Sequence, residues 1–215
     1  MLDEQIRIAK QIVQGTTASK HKEYVEDTFN NTNNKNKDDL TKRLVILDTL
    51  YSTNMSKRLF AFQDLTQIIL DVDDDIEQLD EITLMQTYLN ENHFLKPVGI
   101  DKHAKPKGHA FSLLSKYLFF RSDKKIPIYD SLVYTELKDD FDLKKTQKPT
   151  TKYFEILKNI KEKNNVTYED LDVYYWVKGK IRKNNYSMLA KDKQEYQDIL
   201  NKKGQRYELI KKIKL

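Results

Sequence analysis

Asp130 is the residue of this chain whose type and position best suit catalysis. It stands in the segment Ile-Pro-Ile-Tyr-Asp-Ser, three residues after Pro127, where a helix is predicted to begin. An aspartate there can accept backbone N–H bonds from the helix, which is worth about 1 kcal/mol, and Ser131 is the alternative cap. If it also faces a cleft, its charge can support a developing oxocarbenium ion, as carboxylates do in glycoside chemistry. Both roles stay open: a cap alone, or a cap that also takes part in catalysis.

Cations are concentrated in the stretch before this aspartate. Residues 96–125 hold eight Lys and Arg against two Asp, an excess larger than the +5 of the whole chain. Cations around a turn containing Gly and Pro suit DNA phosphates, because each neutralised phosphate releases counterions. The alternative is a solvated basic loop in a lysine-rich protein. The candidate DNA-binding residues are Gly99, Lys102, Lys105, Lys107, Gly108, His109, Lys124, Lys125 and Tyr129.

The common metal, nucleotide and hydrolase motifs are missing. There is no Cys, and the four His, among them His93, His103 and His109, match no metal-binding spacing. No Gly-rich phosphate loop and no Gly-x-Ser-x-Gly segment occurs. The acidic run from Asp71 to Glu81 can either gather Mg²⁺ or form a solvated face at a helix N-terminus. We therefore expect no metal site and no organic cofactor.

Composition and periodicity predict a soluble all-α protein. Its 215 residues include only 5 Gly and 4 Pro, and strand-type alternation is nearly absent. The absence of Cys, of a signal peptide and of a long apolar run predicts a cytoplasmic protein that avoids the membrane. We expect one domain, residues 1–215, as a bundle of about ten helices. Two lobes, with a cleft between residues 50–89 and 108–137, are one form of it.

One predicted helix stands out because it is apolar nearly all round. This helix, Gly108–Phe120, should therefore be central. A helix from Ser56 is expected to bury Leu59 and Phe60 and to follow a helix capped by Asp38 or Asp39. The tail from Lys202 is expected to be helical with its cations facing solvent. The other predicted helices are Leu2–Gln14, Ser19–Phe29, Ile82–Leu89, Asp130–Leu137, Thr150–Lys163, Thr167–Lys178 and Lys191–Leu200.

The segment from Leu95 to Val133 resembles the helix-hairpin-helix plus Gly/Pro/Asp motif of DNA base-excision glycosylases. It combines a Gly-bearing hairpin, an apolar helix rich in small residues and a Pro-x-x-Asp that starts the next helix. In that family the hairpin lies against a DNA phosphate through backbone N–H groups, and the Asp assists departure of the base. The resemblance puts the motif aspartate at Asp130 and the hairpin glycine at Gly108, 22 residues earlier.

The lysine of the bifunctional glycosylases is missing from its usual place. It should follow the glycine by about two residues, where this chain has His109, Ala110 and Phe111. The nearest amines are those of Lys107 and Lys116. The resemblance therefore implies a monofunctional N-glycosylase, with Asp130 as a catalytic residue and Lys116 as the second catalytic candidate.

A second resemblance rests on Leu-Tyr-Ser-Thr-Asn at 50–54, Ile-Pro-Ile-Tyr-Asp-Ser at 126–131 and Leu-Asp-Val-Tyr-Tyr-Trp-Val-Lys-Gly-Lys at 171–180. These segments are similar to a group of uncharacterised bacterial proteins with a glycosylase-like fold. The similarity implies a glycosylase-like core at about 40–180, followed by a basic C-terminal helix at about 191–215. It bears on architecture more than on activity, because fold and chemistry separate easily.

Two functions of different classes follow. The first is a protein of the helix-hairpin-helix glycosylase-like fold that binds the phosphate backbone of double-stranded DNA and, as an N-glycosylase, acts on an extruded base. The alternative, which the missing motif lysine favours, is a non-catalytic scaffold or interaction protein of a mobile-element or defence locus. An RNA-binding role ranks third, and the oligomeric state is left open.

Overall fold

The computed structural model describes residues 2–33, 35–71, 76, 79–90, 96–141, 143 and 151–215. Within this part of the chain there are eleven α-helices and no strand longer than an isolated β-bridge, so the predicted all-α class is confirmed. The helices are α1 (Leu2–Val13), α2 (Thr17–Asn30), α3 (Lys37–Tyr51), α4 (Ala61–Leu70), α5 (Glu81–Asn90), α6 (Phe111–Arg121), α7 (Ser131–Phe141), α8 (Thr151–Asn164), α9 (Tyr168–Arg182), α10 (Lys193–Leu200) and α11 (Gly204–Ile210).

The chain divides into two compact units. The terminal unit comprises the described residues of Met1–Glu23, Asp130–Thr146 and Lys152–Leu215. The central unit comprises those of Tyr24–Tyr129 and Gln147–Thr151. The expectation of one domain stays a prediction.

Helix α6 is the core of the central unit. All of its residues except Ser112 and Phe120 are buried, as its apolar circumference predicts. The Tyr88 hydroxyl donates to the carbonyl of Phe111 at 2.5 Å, and the rings of Tyr51 and Phe120 lie 6.4 Å apart. Within this unit, Tyr51 and Tyr88 thus contact α6.

Asn36, and neither Asp38 nor Asp39, caps α3. Asn36 has extended backbone angles, and its side chain accepts from the N–H groups of both aspartates at 2.8 and 3.2 Å. The two aspartates occupy the first turn instead, where their charges favour the positive end of the helix dipole.

The expected helix from Ser56 begins later, at Ala61. Residues 55–57 form a short 3₁₀ turn, Leu59 is extended, and Phe60 has the left-handed angles φ 62° and ψ 6°. Leu59 and Phe60 are 53% and 60% exposed, so the prediction that they are buried is wrong. The cause is not local: Leu59 exchanges two backbone hydrogen bonds with Ile100, each 3.0 Å long.

A buried carboxylate shapes the turn before Leu59. Asp48 is 4% exposed, and its oxygens accept from Met55 N at 2.7 Å, Ser56 N at 2.9 Å and Thr53 Oγ1 at 2.6 Å. Burial raises the pKa of Asp48, but the hydrogen bonds from Thr53, Ser56 and Met55 outweigh it and bring the pKa below its usual value. The carboxylate is therefore held in its charged form.

We expect Asp48 to make stability fall in acid. Its folded pKa lies below the unfolded value of about 3.9, so its contribution is complete above that pH and is lost as the pH falls through the folded pKa. Asp48→Asn should remove this part of the acid dependence and cost about 1–2 kcal/mol at pH 7. Urea unfolding of both proteins between about pH 7 and pH 3 measures it. Equal pH dependence in the two proteins would contradict the assignment.

The terminal unit is built around α9, against which α1 and α7 pack. Glu136 of α7, 2% exposed, pairs with Arg182 at 3.0 Å and lies 3.7 Å from Lys178. Thr167 caps α9 in a capping box with Asp170. These ion pairs and caps fix the helices that follow Asp130.

The C-terminal tail only partly matches the expectation of a solvent-facing basic helix. Arg206 of α11 is 6% exposed, and its guanidinium donates to the carbonyls of Gln11, Ile12 and Gln14 at the end of α1. An arginine satisfies these carbonyls because they have no partner within their own helix. This cation therefore contributes to folding rather than to a surface field.

In the part of the chain that the structure describes, no helix is long and apolar enough to cross a membrane. Most of the acidic run between Asp71 and Glu81 lies outside the described residues, as does His93.

Candidate functional site

A short antiparallel hairpin, residues 98–108, carries most of the predicted DNA-binding residues. Ile100 and Pro106 pair across it, Lys107 N donates to Gly99 O at 2.9 Å, and Val98 N donates to Gly108 O at 3.3 Å. We call this segment the basic hairpin. Two extended arms and a turn thus replace the tight connection between two helices that the family resemblance implies.

Asp101 closes the tip of the basic hairpin. Its Oδ1 accepts from the N–H groups of His103 at 2.8 Å and Lys105 at 3.1 Å. These backbone hydrogen bonds hold the pKa of Asp101 below its usual value. The carboxylate lies 3.6 Å from the Lys107 amine, so it partly neutralises the positive charge of Lys107 and also orders the turn.

The base of the basic hairpin is fixed to the start of α4. The guanidinium of Arg58 donates to Gly108 O at 2.5 Å and to Val98 O at 3.2 Å. Asp64 accepts from Gly99 N at 2.8 Å, and Leu59 pairs with Ile100 on the outer arm. Hydrogen bonds from three directions therefore position the tip before any ligand arrives.

The two glycines of the basic hairpin have different roles. Gly99 is buried at φ 69°, and a Cβ there would lie 2.8 Å from the carbonyl oxygen of Leu59. Gly108 is exposed, and a Cβ there would meet nothing within 4 Å. The conformational need for glycine is thus at Gly99, whereas the family resemblance assigns the hairpin glycine to Gly108.

The lysines at the tip are presented to solvent. Lys102, Lys105, Lys107 and His109 are all exposed. Among the described residues no ion pair involves Lys102 or Lys105, whereas Lys107 has Asp101 nearby. His109 Nδ1 lies 3.2 Å from the carbonyl oxygen of Lys96. The structure therefore places Lys102 and Lys105 on the exposed turn, Lys107 on the arm that follows it, and His109 directly after the hairpin.

The other cations of the basic stretch are placed less favourably for a ligand. Lys116 and Arg121 are 2% and 9% exposed, so they add little to a surface field. Lys124 pairs with Glu26 at 2.8 Å, and the Lys125 amine donates to Leu79 O at 3.4 Å. The excess of cations counted along the sequence is therefore larger than the excess that reaches the surface.

Lys116, the second catalytic candidate, lies in the core of the central unit. Its amine donates to the hydroxyl of Ser112 at 2.9 Å and lies 5.4 Å from the centre of the Tyr51 ring. An amine so placed is held by its own helix and by an aromatic face. The geometry gives no support to a role for Lys116 as a nucleophile toward DNA.

Asp130 caps α7, as the sequence predicts. Its Oδ1 accepts from Leu132 N at 2.7 Å, and the side chain is only partly buried. The Asp130 carboxylate also acts on Lys180 of the same unit. Burial lowers the pKa of Lys180, and the negative charge of Asp130 raises it in part. A catalytic role for Asp130 stays a prediction.

Tyr129 is tied to the interior by its backbone. Its N–H donates to Ser115 Oγ at 3.0 Å, and its hydroxyl interacts electrostatically with the buried Tyr88 hydroxyl. Burial raises the pKa of Tyr88 well above its usual value. The hydrogen bond with Ser115 lowers this pKa, and the charge interaction with Tyr129 raises it further. Tyr129 is partly exposed, so only part of its ring is offered to solvent.

Sequence reasoning missed Arg58, Leu59 and Phe60. Leu59 and Phe60 belong to an apolar pattern that is typical of a buried helix. The hydrogen bonds that hold Arg58 and Leu59 in another conformation come from residues about forty positions away. Comparisons with protein-family models, with curated proteins and with solved structures found no match to this chain. The glycosylase resemblance therefore stays a prediction.

Proposed function

We propose that this protein binds DNA through its phosphate backbone and that the basic hairpin makes the contact. The observation that carries the proposal is a prepositioned hairpin with Lys102 and Lys105 on its turn and Lys107 on its second arm, all three exposed to solvent. Cations on a turn of fixed shape release counterions from the nucleic acid while they lose little conformational freedom on binding.

The shape of the basic hairpin also suits DNA. A two-stranded ribbon fits the major groove of a duplex, and its flanking cations then reach the phosphates on either side. The exposed backbone of the tip adds few donors, because Asp101 already accepts from His103 and Lys105. The contact therefore depends on lysine side chains, which bind phosphate without reading the sequence.

Removing two lysines at the tip should weaken binding in a salt-dependent way. We expect Lys102→Gln with Lys105→Gln to lower the slope of log affinity against log salt by about 1.8, since each phosphate contact contributes about 0.9. Fluorescence anisotropy with a labelled duplex of about 20 base pairs, from about 50 to 300 mM KCl, measures it.

The matched control changes the charge equally at a distance in sequence. Lys193→Gln with Lys202→Gln removes two exposed lysines of the terminal unit. If this control loses as much slope as the hairpin variant, general charge rather than the basic hairpin is responsible. If the unmodified protein does not bind even at low salt, the scaffold interpretation replaces DNA binding.

A catalytic step is tested separately. Asp130→Asn keeps a good helix cap but removes the negative charge. The bound duplexes, with a panel of damaged bases, are treated with alkali after incubation. Strand scission that is lost in Asp130→Asn would add N-glycosylase activity to the proposal, and binding without scission would leave DNA binding alone.

A further inference from the structure

Two large apolar side chains project into solvent beside the basic hairpin. Leu59 is 53% exposed and Phe60 is 60% exposed, although the adjoining Ala61 is buried. Leu59 is hydrogen-bonded to Ile100 of the basic hairpin in both directions. Arg58, one residue earlier, donates to the hairpin carbonyls of Val98 and Gly108. The exposed pair therefore belongs to the same hydrogen-bonded assembly as the lysines of the basic hairpin.

The backbone of Phe60 is held in an unfavourable region. At φ 62° and ψ 6° it is left-handed, which is a genuine outlier for a bulky residue. Such a conformation persists only when the surroundings fix it on both sides. Asp48 anchors the turn before it, and the Phe60 carbonyl accepts from Asp64 N at 3.0 Å to open α4. These constraints hold the aromatic side chain away from the core.

We infer that Phe60 stacks on an unpaired base of the DNA that the basic hairpin holds by its phosphates. The inference rests on the proposed function and names its substrate class: DNA with a single-stranded part, such as an overhang or a gap. An aromatic ring that stands clear of the core can cover the face of a base. Inside a duplex both faces of each base are already covered, so only an unpaired or terminal base offers this surface.

Charge favours an anionic ligand such as a nucleic acid over an apolar protein partner. Exposed Lys102, Lys105 and Lys107 share the assembly with Phe60. Its two acids are engaged within it, Asp101 by backbone N–H groups and Lys107, and Asp64 by the N–H of Gly99. An aromatic platform flanked by cations is the combination that binds single strands without sequence preference. A purely apolar partner would leave these lysines without a counter-charge.

The test compares three labelled DNAs of one sequence: a blunt duplex, the same duplex with an overhang of about eight nucleotides, and the single strand. We expect the unmodified protein to prefer the two DNAs that have unpaired bases. Phe60→Ala should weaken binding to those two by about 5- to 100-fold and should affect the blunt duplex, whose only free base faces are at its two ends, much less. The salt slope should stay the same, because a ring contributes no charge.

Three further variants separate stacking from folding. Phe60→Trp should retain the preference, because it keeps an aromatic face. Phe60→Gly removes the ring but adopts a positive φ without strain, so it should fold and still lose the preference. Tyr24→Ala removes another exposed aromatic, 57% accessible on α2, and should leave binding unchanged.

The outcomes distinguish the two proposals. Equal binding of all three DNAs, or an equal loss on all three in Phe60→Ala, overturns the stacking inference even when the lysine variants confirm the basic hairpin. A blunt duplex bound best also overturns it. Absence of salt-dependent binding to every DNA overturns the proposed function itself.

Discussion

Gly99→Ala should destabilise the central unit by about 2–5 kcal/mol. An alanine at φ 69° costs about 1–2 kcal/mol, and its Cβ would lie 2.8 Å from the Leu59 carbonyl oxygen and 3.1 Å from the Ala61 Cβ. Overpacking against backbone adds about 1–3 kcal/mol, since the carbonyl is already bonded to Ile100 and has little freedom to move. The basic hairpin should loosen from α4 as a result.

Gly108→Ala is the matched control, in the same hairpin. Its Cβ would meet nothing within 4 Å, so we expect a change within about 0.5 kcal/mol. Urea unfolding followed by far-ultraviolet circular dichroism compares the two variants. A large loss in Gly108→Ala with none in Gly99→Ala would contradict the hairpin geometry and would favour the glycine assignment implied by the glycosylase resemblance.

Arg43→Ala should cost about 3–5 kcal/mol, the largest effect that we expect from a single side chain. Arg43 is 1% exposed, and its guanidinium donates to Thr32 Oγ1 and Thr32 O at 2.6 Å and to Phe29 O at 2.8 Å. Removing it leaves three partly buried acceptors without these donors and opens a cavity against the Phe29 ring, which lies 4.6 Å from the guanidinium.

An exposed arginine provides the comparison. Arg7 pairs with Glu4 at 2.6 Å, but its side chain is 60% exposed, so Arg7→Ala should cost less than about 1 kcal/mol. Circular dichroism follows all helices, whereas the fluorescence of Trp176, the only tryptophan, follows the terminal unit. Equal stability losses in Arg43→Ala and Arg7→Ala would contradict the buried role of Arg43.

The all-α class and most helix positions are predictable from the sequence because they depend on local patterns. The apolar circumference of α6 predicts its burial, and Pro127 with Asp130 predicts the start of α7. The start of α4 is not predictable in this way. Its position depends on the pairing of Leu59 with Ile100 and on the hydrogen bonds of Asp48, neither of which leaves a trace in hydrophobic periodicity.

In the candidate site, too, some features are predictable from local sequence patterns and others depend on contacts between distant residues. The sequence predicts the segment that holds Lys102 and Lys105, because clustered charge is visible along the chain. It does not show that Lys116 is buried, because a lysine on an apolar helix is equally compatible with either location. Phe60 is missed for a different reason: its apolar neighbours predict a core position that its left-handed backbone prevents.

The hydrogen bonds that hold the basic hairpin are made at its base, by Arg58, Asp64 and Leu59, whereas Lys102 and Lys105 project from its tip. Folding and the DNA contact that we propose thus depend on different residues of one short segment. Substitutions at exposed loop positions of this kind change stability little. A lineage carrying this hairpin can therefore alter its ligand preference by drift at the tip while selection on the base preserves the scaffold.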